Sequence, residues 1–245
     1  MSTASAEITN GAGSSFPAGG IAVVFGAGGG IGSALASRLR GAQHFERVVC
    51  FSRNSTPAID LFGEASLRDA AAFAAVEGAM RLVVDATGFL HDETQRPEKS
   101  FRDLEPAQMA RSFALNAIGP ALIMKHILPL LPRAGRAVFA TLSARVGSIG
   151  DNHLGGWYSY RASKAALNQL VRTASIELRR RQPEAICVAL HPGTVDTPLS
   201  SPFGKGGLDV QSPDLAAERL LGVIARLGPG DSGGFLDHRG ERVPW

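Results

Sequence analysis

Residues 21–32 read IAVVFGAGGGIG, five consecutive apolar residues followed by a glycine-rich loop. From Ile31 to Arg40 the apolar residues recur with helical spacing, and this pattern stops at Gly41. A strand, a glycine loop and a helix in this order are the context that a dinucleotide-binding loop requires. The physical reason is that a diphosphate binds bare backbone N–H groups at a helix N-terminus, where a side chain would block its approach.

The rest of the chain repeats this alternation of short apolar runs and longer helical patterns. The predicted strands are Ile21–Phe25, Arg47–Phe51, Arg81–Val84, Ala137–Leu142, Ala185–Leu190 and Phe235–Leu236. The predicted helices are Ile31–Arg40, Ser66–Val76, Glu105–Leu131 with a kink at Pro120, Tyr158–Arg180 and Asp214–Arg226. Strands that are apolar throughout and alternate with helices predict a Rossmann-like, doubly wound α/β fold with a parallel sheet covered on both faces.

Length and composition favour one large domain. The chain has 245 residues, of which 44% are hydrophobic and 19% charged, so it can bury a sizeable core and most of it is not disordered. The sequence contains no run of 18 apolar residues, so it predicts no transmembrane helix, and the N-terminus lacks the pattern of a signal peptide. We expect residues 1–19 to form a flexible, Gly/Ser-rich leader and residues 20–245 to form the domain.

The charge and the cysteines narrow the class of partner and the compartment. The net charge is +3, and the basic triplet Arg179–Arg181 lies at a predicted helix end, where cations interact favourably with the dipole. We therefore expect no nucleic-acid partner and no membrane association. Cys50 and Cys187 each lie inside an apolar run, which predicts buried free thiols in the cytoplasm and no metal site.

A second motif carries candidate chemistry. Tyr160 and Lys164 are four residues apart and so share one face of the predicted helix. A lysine ammonium beside a phenol favours the phenolate, which lowers the pKa of the phenol and makes it a useful proton donor near neutral pH. The alternative is an exposed cation packed on an aromatic side chain.

With these two motifs the chain resembles the short-chain dehydrogenase/reductase family, in its compact one-domain branch, from about Ile21 to the C-terminus. The stretches Gly147–Ile149, Gly155–Lys164 and Val243–Trp245 are most similar to a subgroup described as C-factor-like or carbonyl-reductase-like. The resemblance implies an NAD(P)-dependent oxidoreductase that transfers a hydride between the nicotinamide cofactor and a carbonyl or alcohol substrate. A Ser-Tyr-Lys-Asn mechanism is implied with it.

The resemblance assigns a role to each catalytic residue. Tyr160 would be the general acid/base, Lys164 would lower its pKa and hold the nicotinamide ribose, and Asn116 would hold a water for proton relay. The family's catalytic serine lies three residues before a glycine, and that position here is Ala144. We expect Ser143 to serve in its place, with Ser148 as the alternative.

The resemblance also implies a cofactor site made of several loops. Its expected residues are Gly26, Gly28, Gly29, Gly30, Ile31, Gly32, Ser52, Arg53, Asp60, Leu61, Ala86, Thr87, Gly88, Asn116, Tyr160, Lys164, Pro192, Gly193, Thr194, Val195 and Thr197. An acidic residue at the end of the second strand would bind the ribose of NAD. The chain has Ser52 and Arg53 there, and Arg53 could pair with a 2′-phosphate. NADP(H) is therefore favoured, and NAD(H) is possible.

Loop position alone suggests the substrate pocket. Its expected residues are Phe89, Leu90, Ser143, His153, Trp157 and Pro198, with the rest of the 198–203 loop. The alternative is that the 143–160 loop is a surface loop packed on itself.

The link after the second strand is short. Only Ser52–Pro57 separates that strand from Ala58–Asp60, whereas a parallel crossover needs about a dozen residues. We expect the family's helix between strands two and three to be deleted, the third strand to be a mere extended segment, and the adenine end of the cleft to be more open.

A function of another class stays open. Ala144 and the C-factor resemblance suggest a cofactor-binding signalling or regulatory protein with little or no turnover. The expected partners are a small-molecule carbonyl or alcohol substrate and a second copy of the chain. By resemblance, a homodimer or homotetramer would form through Glu105–Leu131 and Tyr158–Arg180.

Overall fold

The computed structural model describes residues 16–201 and 209–245. The strands are, in chain order, β1 (Ile21–Phe25), β2 (Arg47–Phe51), β3 (Met80–Asp85), β4 (Ala137–Leu142), β5 (Ala185–His191), β6 (Thr194–Val195), β7 (Val210–Gln211) and β8 (Phe235–Asp237). Six of them form a parallel sheet in the order β2-β1-β3-β4-β5-β8, while β6 and β7 pair with each other. The predicted strands are therefore confirmed to within one or two residues.

Helices cover both faces of this sheet. They are α1 (Gly30–Ala42), α2 (Glu64–Glu77), α3 (Pro106–Phe113), α4 (Gly119–Ile127), α5 (Tyr158–Arg181) and α6 (Pro213–Arg226). Alternate residues of β1 enter different cores: Val23 and Phe25 pack with α2, α4 and α5, while Val24 packs with α1 and α6. The doubly wound α/β fold is confirmed, because both faces of the parallel sheet are buried under helices.

The helix predicted over Glu105–Leu131 is divided at its centre. A π-helical stretch, Ala114–Ile118, separates α3 from α4 and ends just before Pro120. Proline has no N–H to donate to the carbonyl of Asn116 four residues earlier, so the regular α-helical bond cannot form there. The expected irregularity at Pro120 thus places Asn116 in a widened turn.

The same region is strongly apolar. Residues Pro106–Leu130 form one helical stretch that is long and apolar enough to cross a membrane, by length and composition only. Core helices of globular proteins share this character, and Ile123 and Ile127 of α4 are buried against the sheet. The stretch is weak evidence for a membrane span.

The link after β2 agrees with the expectation. Residues 52–63 contain neither helix nor strand, so Ala58–Asp60 adds no strand to the sheet. The next strand is β3, and α2 does lie in the crossover from β2 to it. As expected, residues 52–57 contain no helix and Ala58–Asp60 is not a strand of the sheet. The crossover that remains is long enough for parallel pairing because it includes α2.

Residues 1–15 of the expected leader lie outside the described residues. Phe16, which the prediction also placed in the leader, is buried. Its ring packs against Phe45 and lies under the guanidinium of Arg136. The packed part of the chain therefore includes Phe16.

The sheet order places a cleft above β1 and β3. The chain proceeds from β1 to β2 on one side, and from β3 onward it proceeds on the other side of β1. Ligands of open α/β sheets bind at the carboxyl ends of the strands where this order reverses. The glycine loop after β1 and the turn after β3 meet at this point.

We expect Gly26→Ala to destabilise the fold by about 2–4 kcal/mol. Gly26 has φ +77°, and a Cβ there would lie 2.8 Å from the carbonyl carbon of Ala86. Gly28→Ala is the control, because Gly28 lies in the same loop and its Cβ would meet only Ser52 at 3.5 Å. Urea unfolding of both variants measures the effect, and equal stability of the two would contradict the prediction.

Candidate active site

The glycine loop lies against three other segments at the carboxyl edge of the sheet. The backbone N–H groups of Gly26 and Ala27 donate to the carbonyl of Phe51 at the end of β2. A Cβ on Gly30, the first residue of α1, would lie 2.8 Å from Cγ2 of Thr197. The structure therefore brings the loop together with Ser52, Ala86 and Thr197, as a cofactor site requires.

The turn after β3 is organised by a buried carboxylate. Asp85 is fully buried and accepts hydrogen bonds from the backbone N–H of Thr87 at 3.0 Å and from its hydroxyl at 2.6 Å. The hydroxyl of Thr141 on β4 donates to the other carboxylate oxygen at 2.8 Å. Burial raises the pKa of Asp85, and these donors and the Lys164 charge oppose that shift.

The turn continues to Gly88, beside two of the predicted catalytic residues. A Cβ on Gly88 would lie 3.6 Å from Nζ of Lys164 and 3.7 Å from Oδ1 of Asn116. The amide of Asn116 accepts the N–H of Phe89 and donates to the carbonyl of Phe89, both at 2.8 Å, and also donates to Ser163 Oγ at 3.2 Å. Asn116 therefore ties the π-helical turn to the end of β3 and to α5.

Tyr160 and Lys164 share one face of α5, as the spacing predicts. The ammonium lies 6.0 Å from the centroid of the Tyr160 ring. It donates to the carbonyl of Leu142 at 2.8 Å. Burial lowers the pKa of Lys164 to about 8, although the Asp85 charge opposes this shift.

The expected effect of Lys164 on the phenol is absent in this arrangement. Burial raises the pKa of Tyr160 to about 12, so the prediction of a lowered pKa is wrong for the free protein. The physical reason is that the amine is hydrogen-bonded to Leu142 instead of lying against the phenol, and the phenol itself is desolvated.

Both candidate serine hydroxyls take part in a hydrogen bond, but only Ser143 donates its proton in it. Ser143 is 4% exposed, and its hydroxyl donates to Oδ1 of Asn168 on α5 at 2.6 Å. Ser148 is buried, and its hydroxyl accepts the N–H of Asp151 at 3.0 Å. Ala144, which occupies the family's serine position, lies two residues after the end of β4 and is half-buried.

The predicted pocket residues are brought together only in part. The ring of Trp157 packs edge-on against that of Tyr160, with centroids 6.1 Å apart. The carbonyl of Pro198 lies 3.2 Å from Nε2 of His91, which links the segments after β3 and β6. Leu90 is buried, whereas His153 is exposed. Residues 202 and 203 of the expected pocket loop lie outside the described residues.

The remaining cofactor positions lie around the rim of the cleft. Arg53 and Asp60 are exposed, and Leu61 packs against Gly119 beside the π-helical turn. The loop Pro192–Val195 is anchored to β7, because the side-chain amide of Gln211 donates to the carbonyl of Pro192. Among residues 16–201 and 209–245, no group of three His, Cys, Asp or Glu side chains is placed to hold a metal ion.

The sequence did not predict the buried polar residues whose hydrogen bonds support the turn after β3 and the start of α5. Asp85 carried a signal, because a carboxylate at the end of an apolar strand must find donors. Ser163 and Asn168 carried a weaker one, since they lie within four residues of Lys164 on the predicted helix. Glu98 carried none that distinguishes it from a surface residue of the loop after β3.

The fold and the glycine loop together define a dinucleotide-binding α/β protein. The family model described as short chain dehydrogenase matches residues 20–206. The chain belongs to the short-chain dehydrogenase family, and it is an NAD(P)-dependent oxidoreductase.

Two curated relatives show how far the sequence likeness extends. C-signal of Myxococcus xanthus is 41% identical over 144 residues, which are 58% of this chain and 82% of C-signal. The 1-hydroxy-2-glutathionyl-2-methyl-3-butene dehydrogenase of Rhodococcus sp. (strain AD45) is 36% identical over 135 residues, 55% of this chain. That match spans 58% of the dehydrogenase, so it compares only part of the two proteins.

Two solved structures match nearly the whole chain. The NADPH-bound carbonyl reductase from chicken fatty liver has a TM-score of 0.80 at 25% identity and covers 96% of this chain and 98% of its own. The carbonyl reductase Sniffer of D. melanogaster has a TM-score of 0.76 at 23% identity and covers 92% of this chain and 98% of its own. The second likeness shows the fold alone.

We expect the burial of Lys164 to make its contribution to stability depend on pH. Its pKa is lowered from 10.5 to about 8 on folding, so between these values the unfolded state binds more protons and stability rises with pH. From about pH 7.5 to about pH 9.5, the unfolding free energy of wild type should therefore rise by about 2 kcal/mol relative to that of Lys164→Met. Urea unfolding at both pH values measures it, and a constant difference would contradict the shift.

Proposed function

We propose that this protein reduces a carbonyl compound, or oxidises the corresponding alcohol, with NADP(H) as the favoured cofactor and NAD(H) as a possible one. The observation that carries the proposal is that Lys164 and Asn116 meet beside Gly88, with the Tyr160 ring 6.0 Å from the Lys164 amine. The family's chemistry requires these residue types at one end of one cleft.

The residues of the cleft fit a dinucleotide. The glycine loop offers bare backbone at the N-terminus of α1, which suits a diphosphate. Gly88 leaves space beside the Lys164 amine and the Asn116 amide, where polar groups of a nicotinamide ribose would find partners. When bound, the nicotinamide supplies or accepts the hydride, and the protein supplies orientation and electrostatics.

Tyr160 is the proposed general acid/base for the substrate oxygen. The phenol is protonated at neutral pH, as a proton donor to a carbonyl must be, and burial raises its pKa further. Lys164, with a pKa of about 8, is a cation at neutral pH that also gives up a proton readily. To assist the phenol, its amine must leave Leu142 and come closer than in the free protein. Asn116 is proposed to hold the water that links Lys164 to solvent.

The role of Ser143 carries a structural requirement. Its hydroxyl has one proton, which it donates to Asn168 in this arrangement. A substrate carbonyl would therefore have to compete with the Asn168 oxygen for that proton. Ser143 remains the proposed serine and Ser148 its alternative. We propose that both act more weakly than a serine at position 144 would.

The substitution Tyr160→Phe should keep NADPH binding and lower turnover by about 10²–10⁴-fold, the usual contribution of a positioned general acid. Tyr158→Phe is the control, because Tyr158 lies on the same helix turn but is exposed. NADPH consumption over a panel of aldehydes, ketones and quinones measures turnover. Retained activity in Tyr160→Phe would refute the assigned role.

The proposed preference for NADP(H) depends on Arg53. This exposed guanidinium at the end of β2 can pair with a 2′-phosphate, and the neighbouring Ser52 introduces no opposing charge. Structures bound to NADPH or NADP among the similar proteins support the same preference.

We expect Arg53→Gln to weaken NADPH binding about tenfold or more while NADH binding changes little. Arg68→Gln is the control, because Arg68 is an exposed arginine of α2 that pairs with its neighbour Asp69. Titration of intrinsic fluorescence gives both dissociation constants. A wild type that binds NADH as tightly as NADPH would refute the preference.

The second candidate is a signalling or regulatory protein that binds the cofactor with little turnover. Its support is Ala144 at the family's serine position and the likeness to C-signal. The retained Asn116, Tyr160 and Lys164 favour the enzyme, because a sensor does not need a proton relay. Firm NADPH binding without consumption over the substrate panel would favour the sensor.

We propose self-association as a homodimer or homotetramer, in the cytoplasm. The predicted contact stretches, Glu105–Leu131 and Tyr158–Arg180, border a groove of about 810 Å³ whose lining includes Met124, Leu128 and Leu170. Ile118 and Ile176 near it are exposed. Two free cysteines suit a reducing compartment.

A further inference from the structure

A buried carboxylate meets the start of the helix that carries Tyr160. Glu98 is 4% exposed and lies in the segment between β3 and α3. Its carboxylate accepts hydrogen bonds from the backbone N–H of Ser159 at 3.1 Å and from the Ser159 hydroxyl. Its backbone carbonyl accepts the N–H of Trp157 at 2.5 Å. Glu98 therefore holds the residues on either side of Tyr158, immediately before Tyr160.

The first turn of α5 depends on this contact because it lacks a cap of its own. Trp157, the residue before the helix, has a left-handed backbone with φ 51° and makes no side-chain cap. The first N–H groups of a helix have no partner within it and form the positive end of the helix dipole. Glu98 supplies from a distant segment the acceptor that a serine or aspartate N-cap supplies locally.

The charge of Glu98 is also balanced by this helix end. Among the described residues, no lysine, arginine or histidine forms an ion pair with Glu98. A buried carboxylate needs donors or an opposite charge, because its desolvation is costly. The N-terminus of α5 provides both, so the carboxylate and the helix start stabilise each other.

The position of Tyr160 follows from this contact. Tyr160 is the third residue of α5, and the ring of Trp157 packs edge-on against its ring. Small displacements of a reacting group cost large factors in rate. Resting on the proposed function, we propose that Glu98 is a positioning residue: it fixes the first turn of α5 and thereby the place at which Tyr160 meets the substrate oxygen.

The same segment contains a matched control. Gln95 is also 4% exposed and lies three residues before Glu98. Its amide donates to the carbonyl of Gln108 at 3.1 Å and to Ser112 Oγ at 2.8 Å, both on α3. Gln95→Ala therefore removes a buried anchor of this segment without touching the start of α5.

Turnover of the full chain tests the proposal. Glu98→Ala should lower kcat by about 10–100-fold, with KM and the NADPH dissociation constant within about threefold of wild type, because the glycine loop does not contact Glu98. Glu98→Gln keeps an oxygen acceptor for the Ser159 N–H and should restore kcat to within about threefold. Gln95→Ala should lose stability and keep kcat. Unchanged kcat in Glu98→Ala, or an equal loss in Gln95→Ala, would overturn the proposal.

A second readout needs no substrate. The chain has two tyrosines, so in a Tyr158→Phe background ultraviolet absorbance follows the ionisation of Tyr160 alone. Burial raises the pKa of this phenol to about 12. Glu98→Ala should free the first turn, hydrate the phenol and bring its pKa toward about 10, whereas Glu98→Gln and Gln95→Ala should leave it high.

The two readouts separate two failures. If wild type consumes no NADPH with any carbonyl compound, the proposed function fails, and the phenol titration still decides the role of Glu98. A phenol titration that is the same in Glu98→Ala and in the parent, with circular dichroism showing both folded, would overturn the positioning role whatever the activity.

Discussion

The close approach of the glycine loop to the end of β3 is the constraint on which the site depends. Gly26 passes so near the backbone of Ala86 that a side chain would collide with it. The start of the β1-to-β2 crossover and the start of the β3-to-β4 crossover are thereby fixed against each other, at the point where the strand order reverses. Gly88, three residues after Asp85, then lies beside Lys164 and Asn116. The geometry of the glycine loop and that of the turn beside Lys164 on α5 are therefore set by the same backbone contact.

Burial decides the electrostatics above this contact. It raises the pKa of Asp85 and lowers that of Lys164, so the low-dielectric interior disfavours both charges while their attraction opposes the shift. Each group is held by donors or acceptors of the backbone and of neighbouring threonines. The result is a site whose polar groups are held in the free protein, with the Lys164 amine bound to Leu142 until a ligand draws it toward the phenol.

The sequence predicted the elements well, since apolar runs and helical periodicity are local signals. β1, β2 and β4 were predicted with the observed bounds, and α5 to within one residue. The orientation of polar side chains was not predictable in this way. Lys164 bonds the carbonyl of Leu142, which is 22 residues away, and Ser143 bonds Asn168, which is 25 residues away. Such partners depend on how elements pack, and the spacing within one helix carries no record of them.

Because Ala144 replaces the serine found at this position in the family, the proposed reaction depends more strongly on where the start of α5 places Tyr160. A relative with serine at that position would have two hydroxyls to hold the substrate oxygen. Here Ser143 already donates its proton to Asn168, so the phenol of Tyr160 carries more of the orientation. A proton donor that acts with less help must be placed more accurately, because proximity and orientation supply much of its effect. The buried contact of Glu98 with the first turn of α5 provides that accuracy in a helix that lacks its own cap.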